Sequence, residues 1–205
     1  CYIMNKDYVD KQITMRPEDI FHTGAILTGD QINEEIRLGN IEISGFDPDR
    51  LNENSYNVTL SPTIMTYDLK ATDDYILDVK NPPALISATI TEKYGYVIHP
   101  EKFYLGSTNE TIHSDLFVPI MAGRSSFGRL GFAIHSTGNV GDLGYSGTWT
   151  LQIKSAFPTR IYPNIEIAQI YFMKPYGHIK QLYHGKYQNS NSPAPSKIFT
   201  ELNNE

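Results

Sequence analysis

The chain has 205 residues, a formal net charge of -6, 40% hydrophobic residues and one cysteine. Its length predicts one domain with a sizeable core, and its acidic balance argues against a general binder of nucleic acid or anionic membranes. A single cysteine excludes an internal disulfide framework and a paired-cysteine zinc site, so we expect no zinc. No apolar run is long enough to span a bilayer and no signal peptide is visible, which predicts a cytoplasmic protein.

Strand-forming and turn-forming residues are abundant in the chain. It contains 14 Tyr, 9 Phe, 12 Pro and 15 Gly. Aromatic residues favour β structure, while Pro and Gly favour turns. We predict an N-terminal extension of unknown role over residues 1–24, a β domain over residues 25–184 and a mobile polar tail over residues 185–205.

The first element predicted in the β domain is a short helix between Thr28 and Ile36. Thr28 or Asp30 can cap its start, because their side-chain oxygens accept hydrogen bonds from free backbone N–H groups. Ile32 and Ile36 share one face, and Gly39 can end the helix. We interpret this helix as scaffold.

After the helix, apolar and polar residues alternate along several short segments. This period of two is typical of strands that are half buried. Regularly spaced strands punctuated by turns predict an all-β sandwich or barrel. The predicted strand segments are residues 54–60, 64–79, 86–98, 149–153 and 167–172.

The sequence GRSS at residues 123–126 places a cation and two hydroxyls beside a glycine. The planar guanidinium of Arg124 suits phosphate oxygens. Ser125 and Ser126 can cap a short segment from Phe127 to Leu130, and the free N–H groups at a helix start attract anions. Arg129 adds a second cation. The alternative is an ordinary capped turn with two surface arginines.

A glycine-punctuated turn from Gly138 to Gly147 follows, with Asp142 inside it. Glycine permits a close approach of the backbone to a ligand. A carboxylate within hydrogen-bond reach of water is a candidate general base. The alternative for Asp142 is that it only stabilises the turn. The next predicted strand carries Gln152.

These motifs closely resemble the dCTP deaminase branch of the dUTPase superfamily. The matching segments occur in the expected order, between about Ile26 and Ser196. They are NSYNVTL, GRSSFGRLG, HSTG with DLGYSGTWTL, RIYPNIEIAQIYF, and KYQ followed by PAPS. The resemblance implies a distorted jelly-roll or β-barrel of the dUTPase type with a short N-terminal helix. It also implies a homotrimer with sites between subunits, and dUTP or dCTP as substrate.

The resemblance also implies individual roles in the site. Tyr145 matches an aromatic residue that stacks on deoxyribose, and the turn beginning at Gly138 could contact the base edge. Gln169 would make a polar contact near the nucleotide, although it could equally be a structural strand amide. The tail would close over the triphosphate, with Tyr187 in its motif. The residues expected to contact phosphate are Arg124, Ser125, Ser126, Arg129 and Lys186.

Magnesium is expected to bind together with the triphosphate. In dUTPases an acid in the first strand motif helps to hold the hydrated ion, and Asn57 takes that place here. An amide can accept a hydrogen bond from a metal-bound water but adds no charge. The alternative is that Asn57 only bonds within its own strand or loop.

Gln152 departs from the dCTP deaminase pattern, which has Glu at the matching position. That Glu moves protons while water attacks C4 of cytosine, and an amide cannot do this at neutral pH. Gln152 can still pair with uracil N3–H and O4. We therefore predict a dUTP diphosphatase in which Asp142, Gln152 and Arg129 act in catalysis. The alternatives are a dCTP deaminase, monofunctional or bifunctional, whose Glu was replaced by Gln, and a non-catalytic nucleotide-binding sensor.

Overall fold

A computed structural model describes residues 25–72, 74–134 and 137–203. The predicted extension over residues 1–24 lies outside these ranges. The described residues are mostly β with a few short helices, as the sequence predicts. The strands are β1 Glu42–Ile43, β2 Tyr56–Thr59, β3 Thr63–Tyr67, β4 Leu85–Thr89, β5 Tyr96–Ile98, β6 Tyr104–His113, β7 Val118–Gly123, β8 Phe132–Ile134, β9 Ser146–Ser155, β10 Thr159–Ile161 and β11 Glu166–Met173. The α-helices are α1 Gly29–Arg37, α2 Ser125–Gly128 and α3 Phe199–Leu202.

Helix α1 confirms the prediction from its sequence. Thr28 is the N-cap, and its hydroxyl accepts a hydrogen bond from the backbone N–H of Gln31. Ile32 is fully buried, and Gly39 follows the helix with a φ of +75°. This is the longest described helix, and none of the helices in the described ranges is long and apolar enough to cross a membrane.

Three antiparallel sheets form the domain. The largest has six strands in the order β4–β3–β6–β9–β8, with β1 also paired to β6. A three-stranded sheet has the order β2–β11–β7, and β10 pairs with β5. The six-stranded and three-stranded sheets share one buried core. It includes Tyr56, Val58, Ile64, Tyr104, Ile112, Met121, Leu151, Ile153, Ile167, Ile170 and Phe172.

The predicted strand over residues 64–79 is shorter than expected. β3 ends at Tyr67, and a loop containing a short 3-10 helix leads to β4. Two aspartates bend this loop locally, since Asp74 accepts from the N–H of Ile76 and Asp78 accepts from the N–H of Lys80. Such local turns compete with strand pairing. The alternating apolar residues therefore remain exposed instead of packing in the core.

Helix α2 begins earlier than predicted. Its N-cap is Arg124, which makes no side-chain capping hydrogen bond. The prediction that Ser125 and Ser126 cap a segment from Phe127 to Leu130 is wrong, because both serines already lie in the first turn. Their side chains are exposed.

A buried carboxylate joins two parts of the core. Glu110 on β6 is 3% exposed and bonds to the guanidinium of Arg50. It also accepts hydrogen bonds from the backbone N–H of Thr59 at 2.9 Å and from its hydroxyl at 2.8 Å. The Arg50 guanidinium also lies 5.4 Å from the ring centroid of Tyr56. Charged groups at such depth require a partner.

Replacing Arg50 by Met should destabilise the fold by about 3 kcal/mol, because it leaves the buried Glu110 carboxylate without its cation. Chemical denaturation measures this free energy of unfolding. Arg37→Met is the matched control, because Arg37 is 69% exposed and pairs with Glu34 on the surface of α1. That control should lose much less stability, because solvent screens an exposed ion pair. Equal losses in the two variants would contradict the prediction.

Candidate active site

A cavity of about 410 Å³ opens beside the outer face of β9. The turn from Gly138 to Gly147 and the segment after Leu182 form its other sides. Five of the residues predicted from sequence line it together, namely Gly138, Asp142, Tyr145, Gln152 and Tyr187. The cavity therefore brings together the acid, the amide and the aromatic residues of separate motifs.

The alternation of β9 explains why Gln152 faces the cavity. Leu151 and Ile153 are buried in the core, while Thr150 and Gln152 are half buried on the opposite face. Trp149 is also buried, and it lines one edge of the cavity. Successive side chains of a strand point to opposite sides. The Gln152 side-chain oxygen also accepts a hydrogen bond from the hydroxyl of Thr137 at 2.8 Å.

The turn that carries Asp142 is attached to β7 by backbone hydrogen bonds. Gly141 N–H donates to the carbonyl of Pro119 at 2.8 Å, and Met121 N–H donates to the carbonyl of Asn139 at 2.9 Å. The side chain of Asp142 is exposed at the cavity. A fixed backbone thus presents a solvent-accessible carboxylate to anything bound there.

Tyr145 forms an aromatic wall. Its ring meets those of Trp149 and Tyr183 edge-on, with centroids 6.1 and 5.9 Å away. Its hydroxyl donates to the carbonyl of Thr148 at 2.7 Å. Burial raises the pKa of the Tyr145 phenol above its ordinary value, so the group stays neutral and keeps this hydrogen bond.

The segment after Tyr187 pairs with the start of β9. Asn189 N–H donates to the carbonyl of Ser146 at 2.7 Å, and Thr148 N–H donates to the carbonyl of Ser190 at 2.8 Å. These bonds form a parallel bridge between Gly147 and Ser190. The predicted tail is therefore placed as one wall of the cavity. Its movement on nucleotide binding stays a prediction.

The cationic residues predicted from sequence lie elsewhere. Arg124 contacts Glu166, with 3.0 Å between Nη1 and the carboxylate Oε2, and Arg129 is exposed at the end of α2. Lys186 contacts the carboxylate of Glu201, which raises the pKa of the lysine above its ordinary value. Within the described residues, neither these three nor the serines of α2 line the cavity.

Two predicted polar residues are engaged within the three-stranded sheet. The side-chain oxygen of Gln169 accepts from the hydroxyl of Ser55 at 3.1 Å. Asn57 is 5% exposed, donates to Glu166 at 2.8 Å and accepts from Asn52 at 3.0 Å. These contacts favour the structural alternatives that the sequence left open for both amides.

Comparison with known proteins shows which family the chain belongs to. A sequence model described as dCTP deaminase-like matches residues 26–175. The chain belongs to the dCTP deaminase-like family. It is 41% identical over 177 residues to the Clostridium beijerinckii protein named "dCTP deaminase, dUMP-forming", covering 86% of this chain and 98% of that protein.

A second relative agrees with the family assignment, and a solved structure shares the fold. The Rhodopirellula baltica protein named "dCTP deaminase" is 41% identical over 178 residues, which cover 86% of each chain. A crystal structure of 2'-deoxycytidine 5'-triphosphate deaminase from Agrobacterium tumefaciens has a similar fold, with a TM-score of 0.57 at 16% identity. That similarity covers 74% of this chain, which spans about half (48%) of the solved chain.

Several cavity residues of this dCTP deaminase-like chain were missed by sequence reasoning. Thr150 could have been found from the period of two, since it lies two residues before Gln152 on the same face. The others lie in the glycine-punctuated turn, on or beside β3 and β6, or in the segment after Leu182, and sequence reasoning gave none of them a role. They are Tyr67, Phe103, Leu105, Val140, Tyr183, Ser190, Ala194 and Ser196.

Gly147→Ala should detach the tail wall in this family member. Gly147 has a φ of +149°, and a Cβ there would lie 2.8 Å from Ser190 N and O. We expect faster proteolysis after Leu182 and a rise in KM for the nucleotide of about tenfold or more, because a displaced wall misplaces its side chains. Gly128→Ala is the control, since an added Cβ meets nothing within 4 Å. Unchanged proteolysis of Gly147→Ala would contradict the prediction.

Proposed function

We propose that this chain is a dUTP diphosphatase, which converts dUTP and water to dUMP and pyrophosphate. The observation that carries the proposal is the pairing of Asp142 and Gln152 in one cavity. A carboxylate there can take a proton from attacking water, whereas an amide cannot exchange protons with a pyrimidine ring.

The cavity suits a pyrimidine deoxynucleoside. The Gln152 amide offers both a donor and an acceptor, which match O4 and N3–H of uracil. The Tyr145 ring offers an apolar face to the sugar, and the backbone from Gly138 onward can approach the base edge. Asp142 would then activate the water that attacks the triphosphate.

We propose that the phosphate-contacting residues come from a neighbouring copy in a homotrimer with a jelly-roll subunit. The supporting observation is that Arg124, Ser125, Ser126 and Arg129 do not line the cavity within the described part of one chain. A cation is needed beside a triphosphate in such a site. Light scattering should give a mass three times that of one chain, and a monomer would contradict the shared site.

Magnesium is proposed as part of the substrate complex. Among the described residues, no group of three His, Cys, Asp or Glu side chains could hold a metal ion, and Asn57 uses its amide within the sheet. These residues do not fit a metal site held by the protein alone. The ion would neutralise charge on the phosphates with which it arrives.

The second candidate is a dCTP deaminase, because that is the name given to the relatives. Forming dUMP from dCTP, as the name of the Clostridium beijerinckii protein states, requires loss of both ammonia and pyrophosphate. Gln152 should prevent the loss of ammonia, whereas the loss of pyrophosphate should remain possible. A nucleotide-binding sensor would perform neither.

One assay separates these candidates. The full chain is incubated with dUTP or dCTP and Mg²⁺, and pyrophosphate and ammonia are measured separately. Pyrophosphate from dUTP without ammonia from dCTP supports the proposal. Ammonia at a comparable rate identifies a deaminase, and binding without either product identifies a sensor.

A further inference from the structure

Arg124, the residue after β7, lies back across the start of β11. Its Nη1 donates to the backbone carbonyl of Glu166 at 2.8 Å and lies 3.0 Å from the carboxylate Oε2 of the same residue. Both contacts use Nη1. The edge formed by Nε and Nη2 presents two parallel N–H donors, which suit bidentate contact with an oxyanion.

The carboxylate of Glu166 is itself fixed from a third strand. Asn57 on β2 donates from Nδ2 to Glu166 Oε2 at 2.8 Å. The Oδ1 of Asn57 accepts from Asn52 Nδ2 at 3.0 Å, so both ends of this buried amide are engaged. A continuous chain of side-chain contacts therefore runs from Asn57 through Glu166 to Arg124.

Asn57 and Glu166 form a matched pair of a neutral hydrogen-bond donor and a charged acceptor. A carboxylate at residue 57 would face that of Glu166 at about the present hydrogen-bond distance of 2.8 Å. Two carboxylates cannot both remain ionised at such a separation without a large cost. The amide at residue 57 is what allows a carboxylate to stand next to Arg124.

We propose that Glu166 is a positioning residue, which orients Arg124 for the triphosphate while Asn57 holds Glu166 in place. The inference rests on the proposed function, because Arg124 affects the reaction only when it contacts phosphate. Glu166 also brings negative charge near the substrate. That repulsion is weak, because its side chain is 37% exposed and its charge is already offset by Arg124. Orientation therefore dominates.

The test measures the Kd of a non-hydrolysable dUTP analogue with a nitrogen bridge between the α- and β-phosphates, and kcat and KM for dUTP. Glu166→Ala should raise Kd and KM about tenfold to a hundredfold, with a smaller effect on kcat, because the guanidinium loses its orientation. Glu166→Gln keeps an acceptor for Arg124 and should stay within about threefold of wild type. In an Arg124→Ala background, Glu166→Ala should add no further loss, which a purely structural role would not predict.

A change at Asn57 provides a second test. Asn57→Asp should raise Kd as Glu166→Ala does, because its carboxylate would repel Glu166 Oε2, the atom that also contacts Arg124. Thermal unfolding checks that each variant is folded. Should Asn57→Asp not fold, the variants at Glu166 and Arg124 decide the inference alone.

Several outcomes would overturn the inference. These are an unchanged or lower Kd for Glu166→Ala, an equal loss in the Arg124→Ala background, and an unchanged Kd for a folded Asn57→Asp. A folded wild type that does not bind the analogue would overturn both proposals. If it binds with the expected pattern but releases no pyrophosphate from dUTP, the proposed function fails and the positioning role stands.

Discussion

Asp142→Asn should lower kcat for dUTP hydrolysis by about 10²–10⁴, the usual contribution of a general base. The substitution keeps the size and an acceptor oxygen, but the amide cannot take a proton from water. Because the side chain is exposed at the cavity and the turn is held by backbone bonds to β7, the fold should be unaffected. The measurement is pyrophosphate release at saturating dUTP.

Binding of dUTP should survive in this variant. Removing a negative charge near the phosphates should leave affinity equal or slightly higher, so the loss should appear in kcat and not in KM. Asp78→Asn is the control, because Asp78 bends an exposed loop and does not line the cavity. A kcat within about threefold of wild type would remove Asp142 from the role of general base.

Gln152→Glu should create ammonia release from dCTP. A carboxylate at this position can exchange protons with the ring, and general acid–base groups contribute about 10²–10⁴ in rate. The surrounding geometry favours the change, since the Thr137 hydroxyl that now donates to the Gln152 oxygen can donate to a carboxylate oxygen instead. Ammonia is measured with dCTP as the only nucleotide.

Gln169→Glu is the matched control for that experiment. Gln169 is also a half-buried strand amide, but it lies in the three-stranded sheet and not at the cavity. No ammonia is expected from this variant. If Gln152→Glu also releases none, the cavity lacks a further part of the deaminase machinery. If the wild type already releases ammonia at an enzymatic rate, the role assigned to the amide is wrong.

Local patterns predicted the parts of the fold that local physics determines. Thr28 caps α1, and the alternation of β9 turns Gln152 away from the core. Motif resemblance also identified five residues that meet in the cavity. The alternation of apolar and polar residues extended β3 too far, because alternation alone does not show whether a neighbouring strand is available.

The remaining parts depend on contacts between distant residues. Tyr67 and Phe103 reach the cavity through the pairing of β3, β6 and β9, which no local pattern specifies. Likewise, Glu166 at the start of β11 contacts Arg124, the residue after β7, because these two strands are neighbours in the folded sheet. Sequence reasoning singled out Arg124 for its chemistry but could not find what orients it.

The main-chain bonds between β9 and residues 189–190 are indifferent to side-chain identity, so a slip by two residues could satisfy similar donors and acceptors. Such a slip would carry Tyr187 out of the wall. Gln188 opposes it, because its side chain accepts from Ser146 N–H at 3.1 Å and donates to the carbonyl of Gly144 at 2.9 Å. Gln188 thus helps to fix the register of this cavity wall against β9, although its own side chain does not line the cavity.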